Sequence, residues 1–346
     1  MRKRETTDRD NIVRVGISHG DINGVGYEII IKTFMDSRIM ENITPIVFGS
    51  SKAASYHRKV IDVDFNINLV KHARNAVPHR ANIVNIIDTE VKIELGKSTS
   101  VAGELSYLSL EAATQALKDK EVDVLVTAPI NKHNIQNDEF EFPGHTEYLA
   151  DKFGQEDNLM LMVSNDTRIG IITGHIPIKD VSDAISEKLI LTKARILHES
   201  LQKDFGIKKP KIAILGLNPH AGDNGLLGKD EEEVIIPAIK KGNEEGILLF
   251  GPYPADGMFG TTNYKKFDAI LAMYHDQGMM PFKLLSFDSG VNFTAGLPIV
   301  RTSPAHGTAY DITGKGIASE SSFREAVYLA CDIFKNRKEY EQLKKK

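Results

Sequence analysis

Three histidines in this chain share a local setting that suits metal chemistry. Arg168-Ile-Gly-Ile-Ile-Thr-Gly174 runs into His175-Ile-Pro177, and Lys211-Ile-Ala-Ile-Leu-Gly-Leu217 runs into Asn218-Pro-His220-Ala-Gly222. The third run, Ala269-Ile-Leu-Ala-Met273, ends in Tyr274-His275-Asp276-Gln277-Gly278, with Gly278 expected to let the backbone turn. Each apolar run reads as a buried strand. In open α/β sheets, ligands bind beyond the carboxyl ends of the strands. Three neutral imidazoles delivered there could meet at one divalent ion such as Zn²⁺ or Co²⁺ and leave positions open for a substrate. Any one of these histidines alone would more often be a strand cap or bonded to a nearby carbonyl. The threefold repetition favours the metal.

A second set of residues suits an anion. Lys283, Asn292 and Arg301 follow His275 among glycines and short apolar pieces, and an ammonium, an amide and a guanidinium fit a small carboxylated or phosphorylated molecule. Surface ion pairing is the commoner fate of Lys and Arg. Arg301 directly follows Leu297-Pro-Ile-Val300, so a strand end is expected to aim it into the crevice. His145 and Thr146 open a predicted helix, where backbone N–H groups and a hydroxyl could hold a phosphate or Thr146 could simply act as N-cap. Lys283 or Asp276 could move a proton, Lys283 being preferred because a desolvated lysine approaches the required pKa.

The elements that must position these groups alternate. Ile12–Ile17 is the first strand, followed by a glycine-rich turn over Ser18–Gly26 and a helix carrying Ile29, Ile30 and Phe34 inward. The turn lacks G-x-G-x-x-G spacing, which argues against a Rossmann fold. Further strands are predicted at 44–49, 123–127 and 212–215, and a hairpin at 159–173 turning at Asn165-Asp166. Helices are predicted from about Ser50, over 102–120 (Leu105, Leu108, Ala112 and Leu117 inward), 181–205, 229–241 and 321–344, with a β-rich excursion over 67–100. This alternation implies a parallel or mixed sheet covered on both faces.

At 346 residues, 41% hydrophobic and 26% charged, the chain reads as an ordinary soluble α/β protein of one large or two smaller domains. A net charge of −4 gives no electrostatic case for nucleic acid or an anionic membrane. The single cysteine, Cys331, excludes an intrachain disulfide, and its apolar helical setting points to core packing. Neither a spanning segment nor a signal-like apolar stretch is found, so a cytoplasmic location is expected. The charged residues 1–10 are expected to be mobile, and Lys344–Lys346 to be a frayed helix end.

The segment His306-Gly-Thr-Ala-Tyr310-Asp311-Ile-Thr-Gly-Lys315-Gly-Ile-Ala318 resembles the adenosine-binding loop of isocitrate and isopropylmalate dehydrogenases, which bind NAD(P) without a Rossmann fold. Together with Thr127-Ala-Pro-Ile-Asn-Lys132, Gly144-His-Thr-Glu147, Asn218-Pro-His-Ala-Gly222, Tyr274-His-Asp-Gln-Gly278, Gly296-Leu-Pro298 and Arg301-Thr-Ser303, it makes the chain similar to the 4-hydroxythreonine-4-phosphate dehydrogenase family from about Val15 to Leu329. That resemblance implies a two-lobed α/β/α fold with a mixed sheet, of the isocitrate/isopropylmalate dehydrogenase kind. Residues 1–135 with 286–346 would form the outer, cofactor-binding lobe, and 136–285 a central lobe carrying the metal histidines and a homodimer interface.

It further implies that His175, His220 and His275 bind Zn²⁺, Co²⁺ or Mg²⁺, one of them supplied by the partner subunit. His145, Thr146, Lys283, Asn292 and Arg301 match substrate-binding positions. His306, Gly307, Thr308, Ala309 and Asp311 match cofactor-binding positions, with Asp311 favouring NAD over NADP. The implied reaction is the oxidation and decarboxylation of 4-phosphooxy-L-threonine in pyridoxal phosphate biosynthesis. Related enzymes act on 4-phosphorylated threonate or erythronate. A metal-dependent hydrolase or a non-catalytic binding protein would leave the 306–318 segment or the retained site residues unexplained. The chain departs from the family in SHGDINGVGYE, where prolines usually follow the aspartate and precede the glutamate, at Gly174, and at Met279–Phe282.

Overall fold

Short, nearly unbroken apolar runs bounded by Gly, Pro, Asn and Asp become the strands of this protein, and the amphipathic stretches between them become helices. The computed structural model describes residues 12–345 except 88, 166 and 287. The expected mobility of residues 1–10 and part of the lysine tail therefore lie outside the described residues. In chain order the elements are β1 (Val13–Ser18), α1 (Gly26–Met35), β2 (Ile43–Gly49), α2 (Ser51–Val60), β3 (Asn68–Val70), β4 (Asn82–Asn85), α3 (Ser100–Lys118), β5 (Val124–Thr127) and α4 (His145–Lys152). There follow β6 (Leu159–Ser164), β7 (Thr167–Thr173), α5 (Val181–Ala184), α6 (Glu187–Lys203), β8 (Lys211–Leu215), α7 (Ile236–Glu244), β9 (Leu248–Tyr253) and α8 (Ala255–Phe259). The chain closes with β10 (Ala269–Tyr274), α9 (His275–Leu285), β11 (Val291–Ala295), β12 (Arg301–Pro304) and α10 (Ser321–Lys344).

Two compact units form, Met1–Leu149 with Ile299–Cys331, and Ala150–Pro298 with Asp332–Lys346. These divisions fall later in the chain than the boundaries at 135 and 285 read from the sequence. In the first unit the strands run β3-β4-β2-β1-β5-β12, all parallel. Val15, Ile17, Leu125 and Val126 in its central strands are fully buried, as expected for a sheet covered on both faces. The inward face of α3 differs from expectation: Leu108 is exposed, whereas Ser106 and Ser109 are buried. Their hydroxyls donate to the carbonyls of Gly20 (2.8 Å) and Phe48 (2.6 Å), so two serines, rather than Leu108, face the strand ends. Small polar side chains that satisfy buried carbonyls are invisible to a search for apolar periodicity.

In the second unit the order is β11-β6-β7-β10-β8-β9, antiparallel over β11-β6-β7 and parallel from β7 to β9. The expected α/β class with a mixed sheet is present, and the β6–β7 hairpin turns at Asn165 with φ of 42°; residue 166 of that turn lies outside the described residues. The single helix expected over 181–205 is broken. Ser186 is extended (φ −141°, ψ 157°) and its side chain accepts from the Leu189 N–H, which caps a new helix, α6. The helix expected over 229–241 opens with a π turn, Glu231–Ile235, before α7. β9 was not anticipated. Cys331 is buried in α10, as its setting suggested. Among the described residues no helix is long and apolar enough to cross a membrane.

Candidate active site

The three histidine-bearing strands are neighbours in the second unit. β7 pairs with β10 and β10 with β8, all parallel, so His175, His275 and His220 follow the carboxyl ends of three consecutive strands. Two of the imidazoles meet. The rings of His175 and His275 have centroids 5.9 Å apart and line one depression with Thr173, Gly174, Tyr274 and Asp276. His275 Nδ1 lies 2.7 Å from Asp276 Oδ1. With Nδ1 donating its proton to that carboxylate, Nε2 is left as a lone-pair donor, the arrangement that orients histidine ligands to metals. His220 does not join them: among the described residues no group of three His, Cys, Asp or Glu side chains is placed to hold an ion. Two nitrogen donors with a carboxylate behind one of them fit a divalent transition metal, and a third donor would have to come from elsewhere.

His220 sits in a strained loop. Residues 220–225 all have positive φ, from 43° at Asp223 to 83° at Gly225, a conformation that non-glycine residues adopt at a cost of about 1 kcal/mol each. Buried Glu231 holds the loop. Its carboxylate accepts from the backbone N–H of Leu217 and of Asn218, both at 2.8 Å, and from the Asn218 amide at 3.0 Å. Gln277, just past His275, ties the loop to β10 by accepting from the Met273 N–H (2.7 Å) and donating to the Gly216 carbonyl (2.6 Å).

The cluster His275–Gly278 is not a turn but the first part of α9, contrary to the sequence reading. Gly278 is needed for close packing: a Cβ there would lie 2.5 Å from Ile171 Cδ1, 2.9 Å from Ile169 Cγ2 and 3.1 Å from Ala272 Cβ. Lys283 lies on the exposed side of α9 in the single chain. Asn292 stands on β11, paired with Met162, and its Oδ1 is buried without a hydrogen-bond partner.

The first unit assembles positive charge. Arg301 is the first residue of β12 rather than the residue after a strand, and only 2% of its surface is exposed. Its Nε and Nη2 donate to Thr127 Oγ1 at the end of β5, at 3.2 and 2.7 Å. Burial lowers the guanidinium to about 10, with Glu147 acting in the opposite direction; it stays charged at neutral pH. His145 begins α4, so Thr146 lies inside the first helical turn and not at the cap. Burial, then the charges of Arg301 and Lys132, hold the His145 imidazole well below its ordinary value. Its Nε2 is buried and has no hydrogen-bond partner among the described residues. A neutral imidazole, a buried guanidinium, a nearby ammonium and the N-terminal amides of α4 are groups whose chemistry suits an anion.

Lys132 and Thr127 were not singled out from the sequence. The available signal was the polar tail of Thr127-Ala-Pro-Ile-Asn-Lys132 after a short apolar run, the same pattern that pointed to the histidines. In the 306–318 segment, Ala309 has φ of 45°, and His306, Gly307 and Asp311 are exposed.

The sequence profile of the family described as pyridoxal phosphate biosynthetic protein PdxA matches residues 41–330. The chain is 54% identical over 329 residues to 4-hydroxythreonine-4-phosphate dehydrogenase of Bacteroides thetaiotaomicron, covering 95% of this chain and 90% of that one. It is 36% identical over 332 residues to D-threonate 4-phosphate dehydrogenase of Cupriavidus necator, covering 95% and 99%. The crystal structure of 4-hydroxythreonine-4-phosphate dehydrogenase from Klebsiella pneumoniae superposes with a TM-score of 0.81 at 31% identity, covering 93% of this chain and 99% of that one. With a profile match across most of its length and relatives this similar, the chain belongs to the PdxA family of pyridoxal phosphate biosynthetic proteins.

Proposed function

We propose that this protein oxidises 4-phosphooxy-L-threonine at C3 with NAD and a divalent ion, giving 2-amino-3-oxo-4-phosphooxybutanoate, which loses CO₂ to yield 3-amino-2-oxopropyl phosphate. As a member of this family the chain is an oxidoreductase of the 4-hydroxythreonine-4-phosphate dehydrogenase kind. The observation that carries the choice of substrate is the 54% identity to a relative of that name, against 36% to one named for D-threonate 4-phosphate.

In this reading His145, Thr146, Arg301 and Lys132 hold the anionic groups of the substrate, and Asn292 and Lys283 complete its binding. Arg301 meets the substrate already desolvated, so its attraction to a phosphate or carboxylate is little screened by water. His145, kept neutral, can donate one hydrogen bond without adding a third positive charge to those of Arg301 and Lys132. His175, His275 and His220 hold the divalent ion, Zn²⁺, Co²⁺ or Mg²⁺, which when bound supplies Lewis-acid stabilisation of negative charge on oxygen. Asp276 fixes the His275 tautomer, which leaves Lys283 to take the hydroxyl proton while hydride passes from C3 to NAD. The electrons of the breaking C–CO₂ bond then enter the new carbonyl as CO₂ leaves, and the resulting enolate takes at carbon the proton that Lys283 had accepted. His306, Gly307, Thr308 and Ala309 line the dinucleotide, and the exposed Asp311 carboxylate accepts a hydrogen bond from the ribose 2′-hydroxyl and repels a 2′-phosphate.

The working form is a homodimer in the cytoplasm, with one histidine of each metal site donated across the interface. Supporting this, large apolar residues are exposed on the segments that carry the histidines: Ile176 and Ile178, Leu226 and Leu227, and Met280 and Leu284, the last 85% exposed. Exposed apolar surface of this kind marks association sites.

The test is NADH formation, followed by absorbance, with 4-phosphooxy-L-threonine and D-threonate 4-phosphate compared under NAD and NADP. The reading requires the higher kcat/KM with 4-phosphooxy-L-threonine and NAD. A preference for D-threonate 4-phosphate would reassign the substrate, and equal use of NADP would remove the role given to Asp311. His220→Ala should abolish metal binding and activity while the fold persists, and full activity of Arg301→Ala would take that residue out of the site.

A further inference from the structure

The glycine-rich turn after β1 has no part in the chemistry above, yet it is built from buried polar groups. Asp21 is fully buried. Its carboxylate accepts from the Asn23 N–H at 2.8 Å, the Asn134 amide at 2.8 Å and the Tyr310 hydroxyl at 2.7 Å. The Tyr310 oxygen in turn accepts from the Asn131 amide at 3.1 Å. The Val25 N–H donates to the Thr308 carbonyl at 3.0 Å. One turn further along α1, buried Glu28 accepts from the Ala318 N–H (3.0 Å) and from Lys32 Nζ (2.8 Å). Lys32 also donates to the carbonyls of Gly316 (2.8 Å) and Ala318 (2.7 Å). Residues 21–32 thus fasten the 306–318 segment at Thr308, Tyr310, Gly316 and Ala318. His306, Gly307 and Asp311 are left facing solvent.

We propose that Asp21, together with the Glu28–Lys32 pair, is the positioning apparatus of the dinucleotide segment. The glycine-rich turn would then serve the cofactor by holding another loop in its binding shape rather than by cradling a pyrophosphate itself. This inference rests on reading 306–318 as the cofactor segment. The physical reason is preorganisation: a loop ordered during folding does not have to be ordered again when the ligand arrives, so more of the contact energy appears as affinity. The Tyr310–Asp21 bond is the most exacting of the fastenings, because a buried carboxylate that loses a donor is left under-satisfied.

Tyr310→Phe deletes the hydroxyl and keeps the ring. We expect NADH to bind about tenfold more weakly to the metal-free, substrate-free variant, the equivalent of one charge-assisted hydrogen bond. The KM for NAD should rise in parallel, with kcat and the KM for the phosphorylated substrate within about twofold of the parent, by the rule that lost uniform binding leaves kcat alone. Amide hydrogen exchange over 306–318 should quicken. Asp21→Asn, which keeps the volume and removes the charge, should show the same split should Tyr310→Phe fold poorly. His306→Ala and Asp311→Ala are the companion variants. Weakened NADH binding in these two, with normal binding in Tyr310→Phe and Asp21→Asn, would overturn the positioning role and leave the cofactor segment intact. Normal binding in all four would remove the cofactor segment, and this inference with it.

Discussion

Gly278→Ala sets two well-measured effects against each other within α9. Alanine is favoured over glycine inside a helix by about 1 kcal/mol, so helix propensity alone predicts a more stable protein. The added methyl would lie 2.5 Å from Ile171 Cδ1, 2.9 Å from Ile169 Cγ2 and 3.1 Å from Ala272 Cβ. The first of these can swing away by rotation of the isoleucine. The other two are fixed close to the strand backbones of β7 and β10, so the helix itself must move outward. Overpacking of this kind costs about 1–3 kcal/mol. With one contact relievable and two not, we expect a net loss of about 1 kcal/mol in urea unfolding. The shift also moves His275, the first residue of α9, away from His175. Zinc affinity measured by competition with a chromophoric chelator should therefore fall about tenfold, the usual scale for disturbing the support of a ligand. Gly174→Ala, where nothing lies within 4 Å of the new methyl, should stay within about 0.5 kcal/mol of the parent. A Gly278→Ala protein that is more stable and binds zinc normally would refute the packing account.

Thr127→Val removes the oxygen that accepts from Arg301 while keeping the shape; kcat/KM for the phosphorylated substrate should drop about tenfold in steady-state assays, with little change in the KM for NAD. Glu231→Gln turns one carboxylate oxygen into a donor facing the N–H groups it now accepts from, at a cost of about 1–2 kcal/mol; zinc affinity should weaken while the circular dichroism spectrum is kept. His19 is fully buried and stacked on Tyr27, and burial, partly offset by backbone hydrogen bonding, lowers it from its ordinary 6.5 to about 4. The folded value lies below the unfolded one, so the unfolded chain takes up the proton first. Stability is complete above about pH 6.5 and falls as pH drops from there towards about 4. Between about pH 7 and pH 5 the loss attributable to His19 is about 2 kcal/mol. His19→Phe should flatten the pH dependence of urea unfolding by that amount, and an unchanged slope would show that His19 is not its source.

Much of the candidate site could be read from the chain because its residues follow a single rule, a polar group placed directly after a buried apolar run. That rule found His175, His220 and His275. It would also have found Thr127 and Lys132 had it been applied to the run at 124–127. The order of the strands was not legible. That β10 stands between β7 and β8 depends on crossovers that leave no local trace, and so does the meeting of His175 with His275 while His220 stays apart. Gly278 was read as a turn signal, since sequence does not distinguish a glycine that bends the backbone from one that lets a helix lie close to a sheet. The inward serines of α3 were missed because their worth lies in the carbonyls of Gly20 and Phe48, which become neighbours only after folding; Ser186, three residues from the Leu189 N–H it caps, was a local signal that could have been read. The glycine-rich turn lacks the spacing of a dinucleotide fingerprint, and its hydrogen-bond partners in the 308–318 segment lie almost three hundred residues away.

The hydrophobic side chains on the histidine-bearing segments carry a consequence for the cell. Under the proposed reading, a copy of this chain on its own presents exposed apolar side chains on the same segments as its proposed metal donors. Under the proposed pairing, assembly conceals both at once. Chains made faster than they find a partner would scavenge ions and clump, so dilution should silence the catalyst and overproduction should foul it.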